Sequence, residues 1–244
     1  MIECIYPDWL APDNIKAFTS TRLSGYSQGV YAGLNLASHV NDDMASVEKN
    51  RQLLIDQLAL PAQPVWLDQV HGVGVVNAST VLPPVVADAS YTDQPNTICT
   101  VLTADCLPVL ICNRQGTKVA AAHAGWRGLL AGIVEATVHV LQEPAENILV
   151  WLGPAIGSTA FEVGSEVRDA FINDMPETAV AFKTGRPGHY LADIYQLAKI
   201  RLNKIGIVSV SGGHYCTYTE SKRFYSYRRD GDTGRIASMI WMEG

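Results

Sequence analysis

The chain has 244 residues, of which 48% are hydrophobic and 17% charged, and a net charge of −6. That length permits one large domain or two small ones, and the apolar content can fill a substantial core. The acidic balance offers no attraction to nucleic acid or an anionic membrane, and no apolar run reaches the roughly 18 residues a spanning helix needs.

The N-terminus lacks the basic start and hydrophobic core of a signal peptide. Five cysteines, an odd number in a chain too large to depend on disulfides, read as reduced thiols in a cytoplasmic protein. With no repeat, low-complexity tract or obvious linker, one domain covering residues 1–244 is expected.

In chain order, Thr19-Ser20-Thr21-Arg22 ends an early strand and leads into a Gly/Ser/Tyr loop reaching Gly33-Leu34-Asn35-Leu36. Asp42 or Asp43 can cap a helix running through Val47, Leu53, Leu54 and Leu58, which Pro61 ends. Residues 65–72, Val-Trp-Leu-Asp-Gln-Val-His-Gly, read as a strand entering a turn, with a second strand near 73–76. Residues 97–103 and 107–123 form a central β segment. A helix is expected from Gly128 to about Leu141, a buried strand at 149–152, helices near 165–173 and 191–205, and closing strands at 207–210 and 235–242. Strands and helices intersperse without regular β-α alternation, so an α+β sandwich fits better than a Rossmann fold or barrel.

The segment Thr103 to Gly128 carries the most chemistry. It reads as two apolar strands joined by Asn113-Arg114-Gln115-Gly116, with Arg114 and Gln115 as the central pair of a tight turn. This register sets Leu110 against Val119 and Pro108 against Ala121, and brings Cys106 opposite His123. Opposed residues have Cβ atoms about 4.5–5.5 Å apart. That suits a thiolate and an imidazole sharing a metal, or a Cys/His nucleophile–base pair. Pro108 strains the pairing, because proline cannot donate to a ladder.

Six histidines are present. His39, His139, His189 and His214 read as solvated or hydrogen-bonded imidazoles. His71 and His123 differ because each ends a strand at a glycine-containing turn. With Cys106 they would make a His₂Cys set with a fourth position open, as catalytic zinc requires. Asp105 could orient a ligand. Residues 125–128, Gly-Trp-Arg-Gly, open a helix whose free N–H groups and Arg127 suit an anion.

At these residues the chain resembles the YfiH family, also called the multicopper polyphenol oxidase or laccase-domain family. The motifs are Ser20-Thr21-Arg22, Leu34-Asn35-Leu36, Asp68-Gln69-Val70-His71-Gly72, residues 103–108 (TADCLP), residues 122–128 (AHAGWRG), residues 152–157 (LGPAIG), residues 216–219 (CTYT) and residues 226–229 (SYRR). The resemblance implies a mixed α/β/β/α sandwich, grouped with cytotoxic-necrotizing-factor-like proteins classed as cysteine hydrolases. It also implies a zinc site made by His71, Cys106 and His123. Activities it implies are phosphorolysis of adenosine, inosine and methylthioadenosine, deamination of adenosine, phenol oxidation and editing of peptidoglycan precursors. His214-Tyr215 departs from the Asp-Arg-like pair expected before Cys216.

Counting separates these chemistries. Copper sites use two or three imidazoles each, so four coppers would need on the order of ten histidines. One His₂Cys copper centre with an axial Met stays open. The His-x-Glu and Pro-Cys-x-x-Cys signature of zinc deaminases is absent. Zinc-dependent phosphorolysis of a purine nucleoside uses the chain best, with nucleoside and phosphate as small-molecule partners. Arg22, Asn35, Arg127 and Arg228 are the candidate substrate contacts, and Cys106, His123 and Asp105 the candidate catalytic groups. The alternatives are a laccase-like copper oxidase, a metal-free Cys106/His123 hydrolase and a metal-stabilised interaction module.

Overall fold

The computed structural model describes residues 2–82 and 84–244. The strands are β1 (Cys4–Ile5), β2 (Ile15–Ser20), β3 (Val75–Asn77), β4 (Ala89–Thr92), β5 (Cys99–Thr103), β6 (Leu107–Asn113), β7 (Val119–Ala124), β8 (Ile148–Leu152), β9 (Glu162–Gly164), β10 (Phe182–Thr184), β11 (His189–Ala192), β12 (Val210–Gly212) and β13 (Ile236–Met242). The helices are α1 (Met44–Leu58), α2 (Trp126–Ala131), α3 (Ile133–Leu141), α4 (Ser165–Asp174), α5 (Ile194–Lys204) and α6 (Tyr227–Asp230).

Two sheets stack face to face. One has the order β1-β2-β13-β5 and the other β12-β8-β6-β7-β4-β3, while β10-β11-β9 forms a small third sheet. Side-chain alternation sorts the layers. On β6, Leu110 and Cys112 point into the inter-sheet core with Val101, Trp151 and Ile240. Val109 and Ile111 point the other way, against Val134 of α3 and Leu197 and Leu202 of α5. On β13, Met239 and Trp241 leave the inter-sheet core and pack with Leu54 of α1. The result is the α/β/β/α sandwich, and both faces of the central hairpin are apolar because both sheets are covered.

The hairpin register differs from the sequence expectation. Pro108, not Cys106, lies opposite His123, and Leu110 opposite Ala121. The cause is the turn. Asn113 Oδ1 accepts from the backbone N–H groups of Thr117 and Lys118, and Gly116 takes φ 70°. The side chain thereby closes a four-residue loop, where a two-residue turn was expected. The slip is by two positions, so each side chain keeps its face. Pro108 is accommodated near the strand's start, and its carbonyl accepts from Gly153 N–H.

Other boundaries move for local reasons. Asp43 caps α1, accepting from Ser46 N–H, and Ala59 ends it in the left-handed region before Pro61 is reached. The helix expected from Gly128 begins at Trp126 and breaks at Gly132, with φ 97°, into α2 and α3. Asp193 caps α5 by accepting from Gln196 N–H, so the helix starts at Ile194 and the preceding residues pair as β11. The closing strand near 207–210 is β12, pairing in parallel with β8. Residues 65–72 form no strand but make single bridges, Val65 to Cys99 and Asp68 to Val86. In place of a ladder, the Gln69 amide donates to the Leu102 carbonyl at 2.8 Å and accepts from its N–H at 2.7 Å. All five cysteines are free thiols. Among the described residues no helix is long and apolar enough to cross a membrane.

Candidate metal centre

His71 comes from the loop that Gln69 docks on β5, Cys106 from the bend between β5 and β6, and His123 from β7. Their ligand atoms lie within 4.8 Å of one another, and they are exposed, half-buried and buried respectively. Cys106 Sγ is 3.7 Å from His71 Nε2. Tetrahedral zinc with Zn–S of about 2.3 Å and Zn–N of about 2.1 Å separates such atoms by about 3.6 Å. The donor set therefore fits a metal without rearrangement of this pair. The two rings meet edge to face at 4.7 Å.

A residue that sequence reasoning overlooked organises the centre. Asp88, fully buried just before β4, accepts from His123 Nδ1–H at 2.8 Å. It also accepts from the backbone N–H groups of His71 at 2.9 Å, Gly72 at 2.6 Å and Val70 at 3.3 Å. One carboxylate thus turns His123 so that Nε2 faces the cavity and closes the loop that presents His71. That loop needs holding, because His71 sits at φ 61°, a left-handed conformation costing a non-glycine residue of order 1–3 kcal/mol. Burial acts against the Asp88 carboxylate, yet the His123 and backbone hydrogen bonds prevail and lower its pKa. The sequence signal was an acidic residue in the apolar run 85–90.

Cys106 and His123 bias each other toward thiolate and imidazolium. Burial opposes both charges. The charge and hydrogen bonding of His123 and His71 nevertheless lower the thiol, and those of Cys106 and Asp88 raise the imidazole. The metal-ligating form of the cysteine is thereby favoured, while His123 would release its Nε2 proton on binding a metal.

Glycine is required beneath the ligands. A Cβ on Gly125 would fall 2.6 Å from His71 Cδ2 and 3.1 Å from Cys106 Sγ. Gly125 has φ −63°, which alanine adopts freely, so substitution would strain the site and not the backbone. Gly125→Ala is expected to weaken metal binding by about 10–100-fold, the range for losing a ligand's support. A metal titration against chelator, with Tm as the folding control, checks this.

The ligands open onto a cavity of about 340 Å³, within the usual size for a small-molecule site. Trp126, Phe161, Tyr227 and Ile156 supply apolar walls, and His39, Arg228 and Arg235 add polar groups. His39 and Arg235 were not among the expected site residues; nothing in their sequence neighbourhood places them beside Cys106. Of the four expected substrate contacts, Arg228 lines the cavity. Arg22 lies over the Tyr225 ring and donates to the Ala32 carbonyl. Asn35 is buried and engaged with Asp42, Ala37 and the backbone N–H of Arg235. Arg127 is exposed and stacks over Trp126 at 4.4 Å. The Asp105 carboxylate contacts neither histidine. It accepts from Thr217 Oγ1, Ser226 Oγ and Arg228 N–H, so Asp88 and not Asp105 orients a ligand.

Four layers with two histidines and a cysteine converging beside an apolar cavity define a class, the α/β/β/α proteins whose His₂Cys cluster could hold a metal. The chain belongs to the YfiH family, described by its family model as multi-copper polyphenol oxidoreductase laccase, which matches residues 16–243. It is 54% identical over 240 residues to a purine nucleoside phosphorylase of Pseudomonas aeruginosa, covering 97% of each chain. It is 52% identical to the purine nucleoside phosphorylase YfiH of Escherichia coli K12, covering 99% of this chain and 100% of that one. Among solved structures, a Neisseria meningitidis protein aligns with TM-score 0.95 at 48% identity, covering 99% of each chain. YlmD of Geobacillus stearothermophilus aligns with TM-score 0.89 at 30% identity, covering 95% of this chain and 93% of that one.

Proposed function

We propose that the protein is a zinc-dependent purine nucleoside phosphorylase acting on adenosine, inosine and methylthioadenosine, with adenosine deamination as a side activity. The observation that carries this reading is the joining of the His71–Cys106–His123 centre to an aromatic-walled cavity, in a chain whose full-length relatives bear the phosphorylase name. Trp126, Phe161 and Tyr227 offer flat apolar surface for a purine. Asp88 keeps His123 in the tautomer that ligates through Nε2. Bound zinc supplies a Lewis acid that lowers the pKa of a water to about 7 or polarises a substrate oxygen.

Purified protein incubated with adenosine, with and without inorganic phosphate, separates the outcomes. Adenine and ribose 1-phosphate formed only with phosphate are expected, with one zinc per chain by metal analysis. Inosine as the main product would reassign the enzyme as a deaminase, and no nucleoside turnover by the zinc-loaded protein would sink the reading.

The family description favours comparison with a copper oxidase. A blue-copper centre of His₂Cys type takes a weak axial Met, Gln or carbonyl ligand. No methionine lines the cavity among the described residues and both Gln69 amide atoms are committed to Leu102, which leaves a backbone carbonyl as the one axial candidate and makes the zinc reading the better fit. A colourless zinc form is therefore expected, where a copper thiolate centre would be intensely blue.

A further inference from the structure

Two arginines line the cavity, Arg228 and Arg235, and their guanidinium groups are held alike. Arg228 donates through Nη1 to the Glu162 carbonyl at 2.7 Å, with a longer contact to Ala160 O at 3.5 Å. Arg235 donates through Nη1 to the carbonyls of Thr233 at 2.6 Å and Gly234 at 3.0 Å. Each is tied to main chain by one nitrogen. Among the described residues, Nε and Nη2 of both make no hydrogen bond and neither arginine forms an ion pair, although Glu162 acts on Arg228 and Asp105 and Asp232 on Arg235 through space, and Arg228 lies 5.6 Å over the Phe161 ring. By contrast, Arg201 is paired with Glu135 and Asp174, and Arg223 with Glu3 and Glu220. The edge left free is the one that meets an oxyanion with two parallel bonds.

Their placement is tied to the metal ligands. Asp105 directly precedes Cys106 and accepts from Arg228 N–H at 2.7 Å, so the bend presenting the cysteine also seats α6. Burial disfavours the Arg235 charge, and the negative groups acting on it most strongly are Cys106 and Asp105. Asp105 does not compete for the free edges, since its oxygens are taken by Thr217, Ser226 and the Arg228 backbone. Two guanidinium edges that no ion pair occupies match a dianion better than a neutral nucleoside.

We propose that Arg228 and Arg235 jointly form the inorganic phosphate subsite beside the His71–Cys106–His123 centre. The assignment rests on the phosphorolysis reading. A phosphate oxygen held there forms the bond to ribose C1′ as the C1′–N9 bond breaks. The electron pair of that bond leaves with the purine, which gains a proton from solvent. Arg228 and Arg235 contact the nucleophile, whereas Arg127, stacked on Trp126, stays outside.

The test uses the zinc-loaded protein and two measurements. Calorimetric titration with inorganic phosphate, without nucleoside, reads the subsite independently of turnover. Steady-state kinetics read the KM for phosphate and for nucleoside separately. Arg228→Gln and Arg235→Gln should each weaken phosphate binding and raise its KM by about 30-fold or more, while nucleoside KM stays within about threefold. Arg235→Lys, which keeps the charge without the fork, should fall between. Circular dichroism and zinc content check folding; if a Gln variant fails to fold, the Lys variants at both positions decide. Unchanged phosphate affinity in folded variants, or a loss confined to nucleoside KM, would overturn the assignment. So would a wild-type protein that binds no phosphate at millimolar concentration. Absent phosphorolysis with phosphate binding intact and arginine-dependent would overturn the activity reading alone.

Discussion

Cys106→Ala is expected to abolish stoichiometric metal binding and, through loss of the several kcal/mol a catalytic metal supplies, to lower phosphorolysis by about a thousandfold or more, with the fold retained. Three donors within 4.8 Å become two imidazoles, and the lost one is the thiolate, the charged ligand of the set. The substitution is structurally mild because Cys106 precedes β6 and is half-buried, outside the three apolar cores. His71→Ala distinguishes ligand from nucleophile. In a metal centre it should be nearly as damaging as Cys106→Ala. In a Cys106/His123 dyad, His71 would be dispensable and substrate would leave an adduct on the thiol. Metal analysis with single-turnover mass spectrometry of both variants decides. An active, metal-free His71→Ala protein would overturn the metal mechanism.

Asp88→Asn should be the most damaging substitution outside the ligands themselves. The change is nearly isosteric, yet the carboxylate accepts on both oxygens, from His71 N–H and His123 Nδ1–H on one and from Gly72 and Val70 N–H on the other. An amide must turn its NH₂ toward one of these donors, leaving buried donors facing each other. The expected cost is on the order of 3–5 kcal/mol, as for breaking a buried charged pair. Metal affinity should also fall by about 10–100-fold as both histidines lose their orientation. Thermal unfolding with and without saturating zinc reads the two effects separately. A variant matching wild type in both would show that the ligands are positioned by their strands alone.

Much of the fold was legible because it depends on period and punctuation. The β6–β7 pair announces itself by two apolar runs around Asn113–Gly116, and α1 by an aspartate before its first apolar positions. Boundaries were lost where one side chain outvotes the pattern. Asn113 lengthens the turn, Gln69 replaces a strand ladder, and Asp193 shortens a helix. The expected opposition of Cys106 and His123 was two residues out of register, yet the residues still meet. Cys106 sits in the bend before β6, where its thiol comes within 4.8 Å of the ligand atoms of both His71 and His123.

The amino-acid sequence by itself determined which groups can do chemistry here. Two histidines beside small or glycine residues and a cysteine leading into an apolar run are a property of the chain, as is the apolar content that forces a covered double sheet. Which charged groups serve that centre is set by long-range packing. Asp88 is 35 residues from His123, and Arg235 lies over a hundred positions from Cys106 along the chain, so no local spacing links them. Their proximity follows from β4 pairing with β7 and β13 pairing with β5. Residues such as Arg22, Asn35 and Arg127 carry suitable chemistry in suitable motifs, but hydrogen bonding or stacking engages them elsewhere. A side chain's chemical type is local information, whereas its free valence depends on what the fold packs against it.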